Sequence, residues 1–327
     1  MIYFIVISLL LYSISNCNKK VYLRGVNVTM TSYIKALLSI VVILHHLSFR
    51  YKENIFLNQF SMMGTICVAL FFFLSGYGLM VSFVKYKKIY LRDFLKNRFS
   101  KLLPAFFIAT VLYTSYSIAF YGWQYVLARF VNGFPPLPTS WFVYAISWLY
   151  LSFYIACKLF KNLLAFNAVL LIINIFYCII VLFIFGWGGW WVNAIFAFNL
   201  GVALVSIEHH INFNKQINIS VLIILSTITI FSVYCQWTVI YNLTICILVW
   251  FVFRGINPPE IPFFRVLGKY SYEIYLVQGA VIALLFNISH LDSFPVFGIL
   301  LVLIVTFVCA YFLSTISSNI YIKNKIN

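Results

Sequence analysis

Long apolar runs bounded by short polar or basic segments repeat from residue 33 to residue 317. Each approaches the ~20 residues that an α-helix needs to cross a hydrocarbon core of ~30 Å. Backbone inside that core must satisfy its own hydrogen bonds, which leaves helices as the spanning unit for runs of this kind. The pattern predicts ten transmembrane helices, at 33–49, 60–84, 102–122, 140–157, 163–185, 192–207, 217–234, 238–253, 271–288 and 295–317. A shorter apolar stretch, 1–16, is followed by Lys19, Lys20 and Arg24. Its charges lie on the wrong side for a signal peptide, so it reads as an extra, dispensable helix, with Met30 an alternative beginning. The expected organisation is an apolar segment and basic linker (1–29), a transmembrane domain (30–320) and a short tail (321–327).

The basic residues orient this map. Nineteen lysines and arginines fall on one side of the predicted spans, and only Arg50, Lys52 and Arg129 on the other. By the positive-inside rule the first side is cytoplasmic, together with the C-terminus and the start of the helix bearing Lys35. Trp123, Trp141, Trp187, Trp190, Trp191 and Trp237 all fall at the opposite ends, as an interfacial aromatic belt requires. We therefore expect a multi-pass protein of the inner or plasma membrane. No internal repeat marks an inverted-repeat transporter.

Composition agrees. Of 327 residues, 64% are hydrophobic and 9% charged, a balance foreign to soluble domains, and the fold class is all-α integral membrane. A net charge of +16 suggests nucleic acid only if the basic residues form one patch; here they alternate with spans, so the lipid bilayer is the expected partner and nucleic acid is not. The seven cysteines include no Cys-x-x-Cys pair and read as small apolar fillers, without a disulfide framework or metal site.

Four constellations carry candidate chemistry. Lys35, His45 and His46 lie in the first span, where ionisable groups are expensive and mark pathways or reactions. Eleven residues at about 100° each return His46 to within about 20° of Lys35, roughly 16 Å further along the helix; His45 is turned away. Polar packing between helices is the plain reading, and a general base or proton carrier the functional one. The segment Lys85–Lys101 holds seven basic residues and Asp93. It reads as a loop that sets topology or as a phosphate site, in which Arg98 and Lys101, three apart, grip one anion before the chain enters a span at Pro104. Ser75 and Tyr77 sit among Gly76 and Gly78, whose first reading is close helix packing. Glu273, beside Tyr272 and Tyr275, is the one acid expected near the membrane interior. Glu208, His209 and His210 are expected in a solvated loop, and His290 and Asp292 in a short outer one.

Together these segments resemble acyltransferase family 3, the multi-pass membrane O-acyltransferases. That family carries a basic residue eleven positions before a histidine, as Lys35 and His46 stand here. Its phenylalanine-rich stretch matches Phe72-Phe73-Leu74-Ser75-Gly76-Tyr77. Its paired arginines before a leucine and proline match Arg98-Phe99-Ser100-Lys101-Leu102-Leu103-Pro104. Its late element ending in histidine matches Ser271-Tyr272-Glu273-Ile274-Tyr275-Leu276-Val277-Gln278. Lysine replaces the usual arginine at 35 and 101, losing the bidentate fork, and Gln278 replaces the histidine. The resemblance implies acyl-CoA, commonly acetyl-CoA, as donor substrate, with no bound metal or permanent cofactor. It implies donor phosphates on Lys35, Arg98 and Lys101, His46 as general base, supporting roles for Ser75, Tyr77 and Glu273, and a carbohydrate or glycolipid acceptor. Two other readings remain: a transporter or flippase for a lipid-linked saccharide, and a family member without activity. The acceptor, the acyl chain and the oligomeric state are not legible in the sequence.

Overall fold

The computed structural model describes residues 26–132, 137–160, 162–208, 215–253, 259–289 and 291–326. The apolar stretch 1–16, His209, His210 and His290 lie outside them, as does the side chain of Asp292. Among the described residues there is no strand, and ten apolar helices coincide with the predicted spans. They are α1 (Val28–Ser48), α3 (Met63–Arg92), α4 (Phe94–Tyr121), α6 (Ser140–Leu159), α7 (Leu163–Ile179), α8 (Ile195–Ile207), α9 (Lys215–Tyr234), α10 (Thr238–Phe253), α12 (Ser271–Ile288) and α13 (Pro295–Ile326). Eight are long and apolar enough to cross a membrane, counting the turns that extend α7 and α8, and α9 and α10 provide two shorter apolar helices. Short helices α2 (Ile55–Asn58), α5 (Trp123–Val131) and α11 (Pro262–Lys269) flank them.

Two boundaries differ from the hydropathy map for physical reasons. The segment Lys85–Lys101, expected as a loop, is almost entirely helical: α3 runs to Arg92 with a kink at Lys87 (φ 49°), and α4 restarts at Phe94. Lysine, arginine and leucine are good helix formers, so charge ends the span without ending the helix. Pro104, expected at a span's entrance, lies within α4. The first span also begins earlier, at Val28, because the Asn27 side chain accepts the Met30 N–H (2.6 Å) and caps it.

At the centre, α3 packs on α8, α1, α10 and α6. Gly76 faces the Phe198 backbone and Gly201 the Phe73 backbone so closely that a Cβ at either position would stand 2.3 Å from a carbonyl oxygen. These reciprocal contacts let α3 and α8 approach without side chains between them, as small residues do in membranes. On its other side α3 meets α1, which also packs on α11 and α12. The Tyr33 hydroxyl bonds both the Pro259 carbonyl and the Ile261 N–H, pinning the start of α11 to α1.

Candidate active site

The two histidines of α1 occupy different situations. Nδ1 of His45 lies 3.1 Å from the Phe60 carbonyl, which only an N–H can satisfy, so Nδ1 carries the proton. The ring presses on Gly64 of α3, where a Cβ would stand 2.3 Å from Nε2. His45 thus fastens α1 to the connection after it. His46 makes no hydrogen bond among the described residues, and neither of its ring nitrogens is sealed from solvent. It is largely enclosed by protein yet keeps some accessible surface. It belongs to the last turn of α1, with the rings of His45 and Phe49 5.0 and 6.4 Å away. The following connection folds back over the bundle, with Tyr51 and Leu57 buried.

At the opposite end of α1, Lys35 is half-buried and close enough to Arg98 for the two cations to repel. Arg98 is held by aromatic rings. Its guanidinium carbon lies 6.0, 5.7 and 5.9 Å from the rings of Tyr90, Phe94 and Tyr150, and Nη2 donates to the Tyr90 hydroxyl at 2.6 Å. Such contacts position a cation without neutralising it. Neither Lys35 nor Arg98 has a carboxylate partner among the described residues. Of the seven basic residues in 85–101 only Arg98 is drawn inward, and the other six, Lys101 included, are exposed. The segment is therefore not uniform, with one cation turned inward and six facing outward. Two adjacent, unpaired cations in a half-desolvated site favour an anion strongly.

Ser75 belongs to the same end: its Oγ donates to the Tyr150 hydroxyl at 3.3 Å, linking α3 to the ring beneath Arg98. Tyr272 donates to the Leu102 carbonyl at 2.9 Å, one turn along α4 from Arg98. Along α3, Gly64 meets His45 and Cys67 lies near Tyr275. Further on, Phe71 meets Phe142 and Ser75 meets Tyr150. The spacing repeats at three and four residues, so one face of α3 runs from the histidines to the Arg98 cage.

Tyr77 and Glu273 are not brought to this line. Tyr77 is buried on the far side of α3, where its hydroxyl donates to Glu208 Oε2 (3.1 Å) and accepts the Val26 N–H (3.3 Å). Glu208, expected in a solvated loop, is instead buried; it is a second acid inside the protein, because Tyr77 offers it a donor. Glu273 turns to Ser314 of α13 and feels Lys269.

Sequence reasoning missed the Arg98 cage. Its signal was present in the spacing of Tyr90, Phe94 and Arg98, four residues apart each, but the packing of Tyr150 on the same group is tertiary and left no mark. Among the described residues, no group of three or more side chains has the composition of a metal site.

A family model described as an acyltransferase domain matches residues 32–315. No curated protein and no solved structure matches the chain.

Proposed function

The chain belongs to this acyltransferase family, and from that premise we propose that it transfers an acetyl group from acetyl-CoA to a hydroxyl of a cell-envelope sugar or polysaccharide, with His46 as general base. One observation carries the reading: Lys35 and Arg98, without a carboxylate partner among the described residues, and His46, without a hydrogen bond among them, stand at opposite ends of one helix face.

CoA carries several phosphates on its nucleotide and a slender arm ending in the thioester. The phosphates cannot enter hydrocarbon, so the nucleotide docks at the basic end, which the positive-inside bias makes cytoplasmic. Arg98 is the principal contact, Lys35 lies beside it, and Lys101 attracts the donor from the surface. The arm then follows α1 and α3 inward over a distance of roughly 16 Å, the rise from Lys35 to His46. The acceptor arrives from the other side, past the connection that follows α1.

The hydroxyl oxygen attacks the thioester carbonyl carbon as a ring nitrogen of His46 takes its proton. The tetrahedral adduct collapses, the carbon–sulfur bond breaks, and the proton on His46 passes to the leaving sulfur. The products are the ester and free CoA. Holding both substrates in a narrow interior supplies much of the acceleration. His45, committed to the Phe60 carbonyl, positions the turn that presents His46.

Membranes carrying the wild-type protein are expected to transfer label from acetyl-CoA to surface glycan, and a deletion strain to lose one acetyl increment per modified sugar by mass spectrometry. Unchanged glycan mass in the deletion strain contradicts the acceptor class. Cargo movement without acyl-CoA, dependent on a proton gradient, replaces the reading with that of a transporter.

A further inference from the structure

Gln278 is fully buried in α12, and neither its Oε1 nor its Nε2 has a hydrogen-bond partner among the described residues. A carboxamide offers one acceptor oxygen and two donor hydrogens. Sealing both ends without partners in an apolar interior carries a heavy desolvation penalty, and an apolar side chain of similar shape would suit the packing better. A glutamine in this position points to a partner that comes from outside the chain.

Two routes give its depth. At the basic end Gly268, just before α12, touches the Ser32 backbone, and at the other end Tyr51, just after α1, packs on Phe286 at 5.3 Å. The helices α1 and α12 therefore run side by side in the same direction, with Gln278 between the levels of Lys35 and His46 and nearer the latter. Through α3, Gly64 meets His45 and Cys67 lies near Tyr275, one turn before Gln278. Both routes bring Gln278 within about one helical turn of His46 in depth. Tyr275, three residues earlier on the same buried stripe, packs on Phe142 at 4.6 Å, so the stripe faces the interior between α3 and α6.

We infer that Gln278 holds the thioester end of the donor, an assignment that rests on the acyl-CoA reading. Oε1 accepts from the amide N–H that stands two carbons from the thioester sulfur, and Nε2 donates to the thioester carbonyl oxygen. That oxygen gains negative charge while the new carbon–oxygen bond forms and before the carbon–sulfur bond breaks. The Nε2 donation is therefore strongest at the adduct, as for any fixed donor aimed at a developing oxyanion. No proton leaves Gln278; the proton traffic belongs to His46.

The test uses the full-length protein and two small donors that lack the nucleotide: S-acetyl-N-acetylcysteamine, and its counterpart in which an ester oxygen replaces the amide N–H. The wild type is expected to use the amide about tenfold more efficiently in kcat/KM, the worth of one such hydrogen bond. Gln278→Leu is expected to lose that preference and about 10²-fold in kcat/KM with acetyl-CoA, while its thermal midpoint stays level or rises. Gln278→His, which supplies a ring donor and acceptor, is expected to keep part of the activity. Equal use of both small donors by the wild type, or undiminished transfer by Gln278→Leu, overturns the assignment and leaves the acyl-CoA reading standing. If the wild type transfers from acetyl-CoA and neither small donor, the acetyl-CoA rates of Gln278→Leu decide. A wild type that transfers from none of the three removes the donor reading itself, and this inference with it.

Discussion

The two faces of α3 treat polar groups in opposite ways. On the face toward α8, Tyr77 finds Glu208 and the Val26 N–H, and Gly76 and Gly201 bring the backbones into contact. Toward α1 and α12 stand groups that lack a partner of their own kind among the described residues: His46 without a hydrogen bond, Gln278 unpartnered at both ends, and Lys35 and Arg98 without a carboxylate. In a low-dielectric interior unpaired polar groups are costly, and Gln278 is the one side chain among the described residues with both polar ends buried and unpartnered; on the proposed function, the face toward α1 and α12 is the one that works and the face toward α8 the one that holds.

The contrast is broken or sharpened by substitutions on either side. His46→Ala should have the largest effect, lowering kcat by about 10²–10⁴-fold, the usual worth of a general base, with little change in thermal midpoint. Its neighbour should invert that outcome: His45→Ala is expected to lower stability by about 1 kcal/mol, through the lost bond to Phe60, and to keep most of the turnover. Steady-state kinetics and melting curves on the two variants separate the roles.

Arg98→Ala comes next. Removing one of the two desolvated cations should weaken CoA binding by about 10²-fold, read as Kd or KM, with kcat much less affected. Arg98→Lys should fall between, because an ammonium fills the aromatic cage without the planar fork. On the other face, Tyr77→Phe should cost about 1 kcal/mol of stability by leaving Glu208 without its donor, with KM and kcat within about twofold of wild type. A large kinetic loss in Tyr77→Phe would erase the distinction between the faces. The smallest effect is expected of Lys101→Ala: exposed charges contribute little and are screened by salt, so KM for CoA should rise about two- to threefold at low ionic strength and return toward wild type as salt is added.

Much of the fold is legible in the sequence because hydropathy reports span length, and length in a membrane nearly dictates conformation. The spans at 238–253 and 271–288 coincide with α10 and α12 to the residue. The helix through Lys85–Lys101 escaped because hydropathy tracks solvation, and a solvated segment of good helix formers stays helical. At the site, the 3.6-residue period aligned Lys35 with His46 and turned His45 aside. Periodicity says which residues share a face, and not what lies opposite. The cage around Arg98 needs Tyr150 from α6, the burial of Glu208 needs Tyr77 from α3, and the isolation of Gln278 needs every neighbour to be known. Gln278 shows the difference plainly. In the sequence it is a departure from a histidine motif, and in the structure it is an amide without a partner.

The central claim is that donor binding and proton transfer sit at opposite ends of one interior line, and calorimetric titration of CoA into the purified wild type, His46→Ala and Arg98→Ala proteins tests it most directly. The predicted result is wild-type affinity in His46→Ala despite its lost turnover, and affinity weakened by about 10²-fold in Arg98→Ala. Equal affinity in wild type and Arg98→Ala, or loss of CoA binding in a folded His46→Ala, would contradict it.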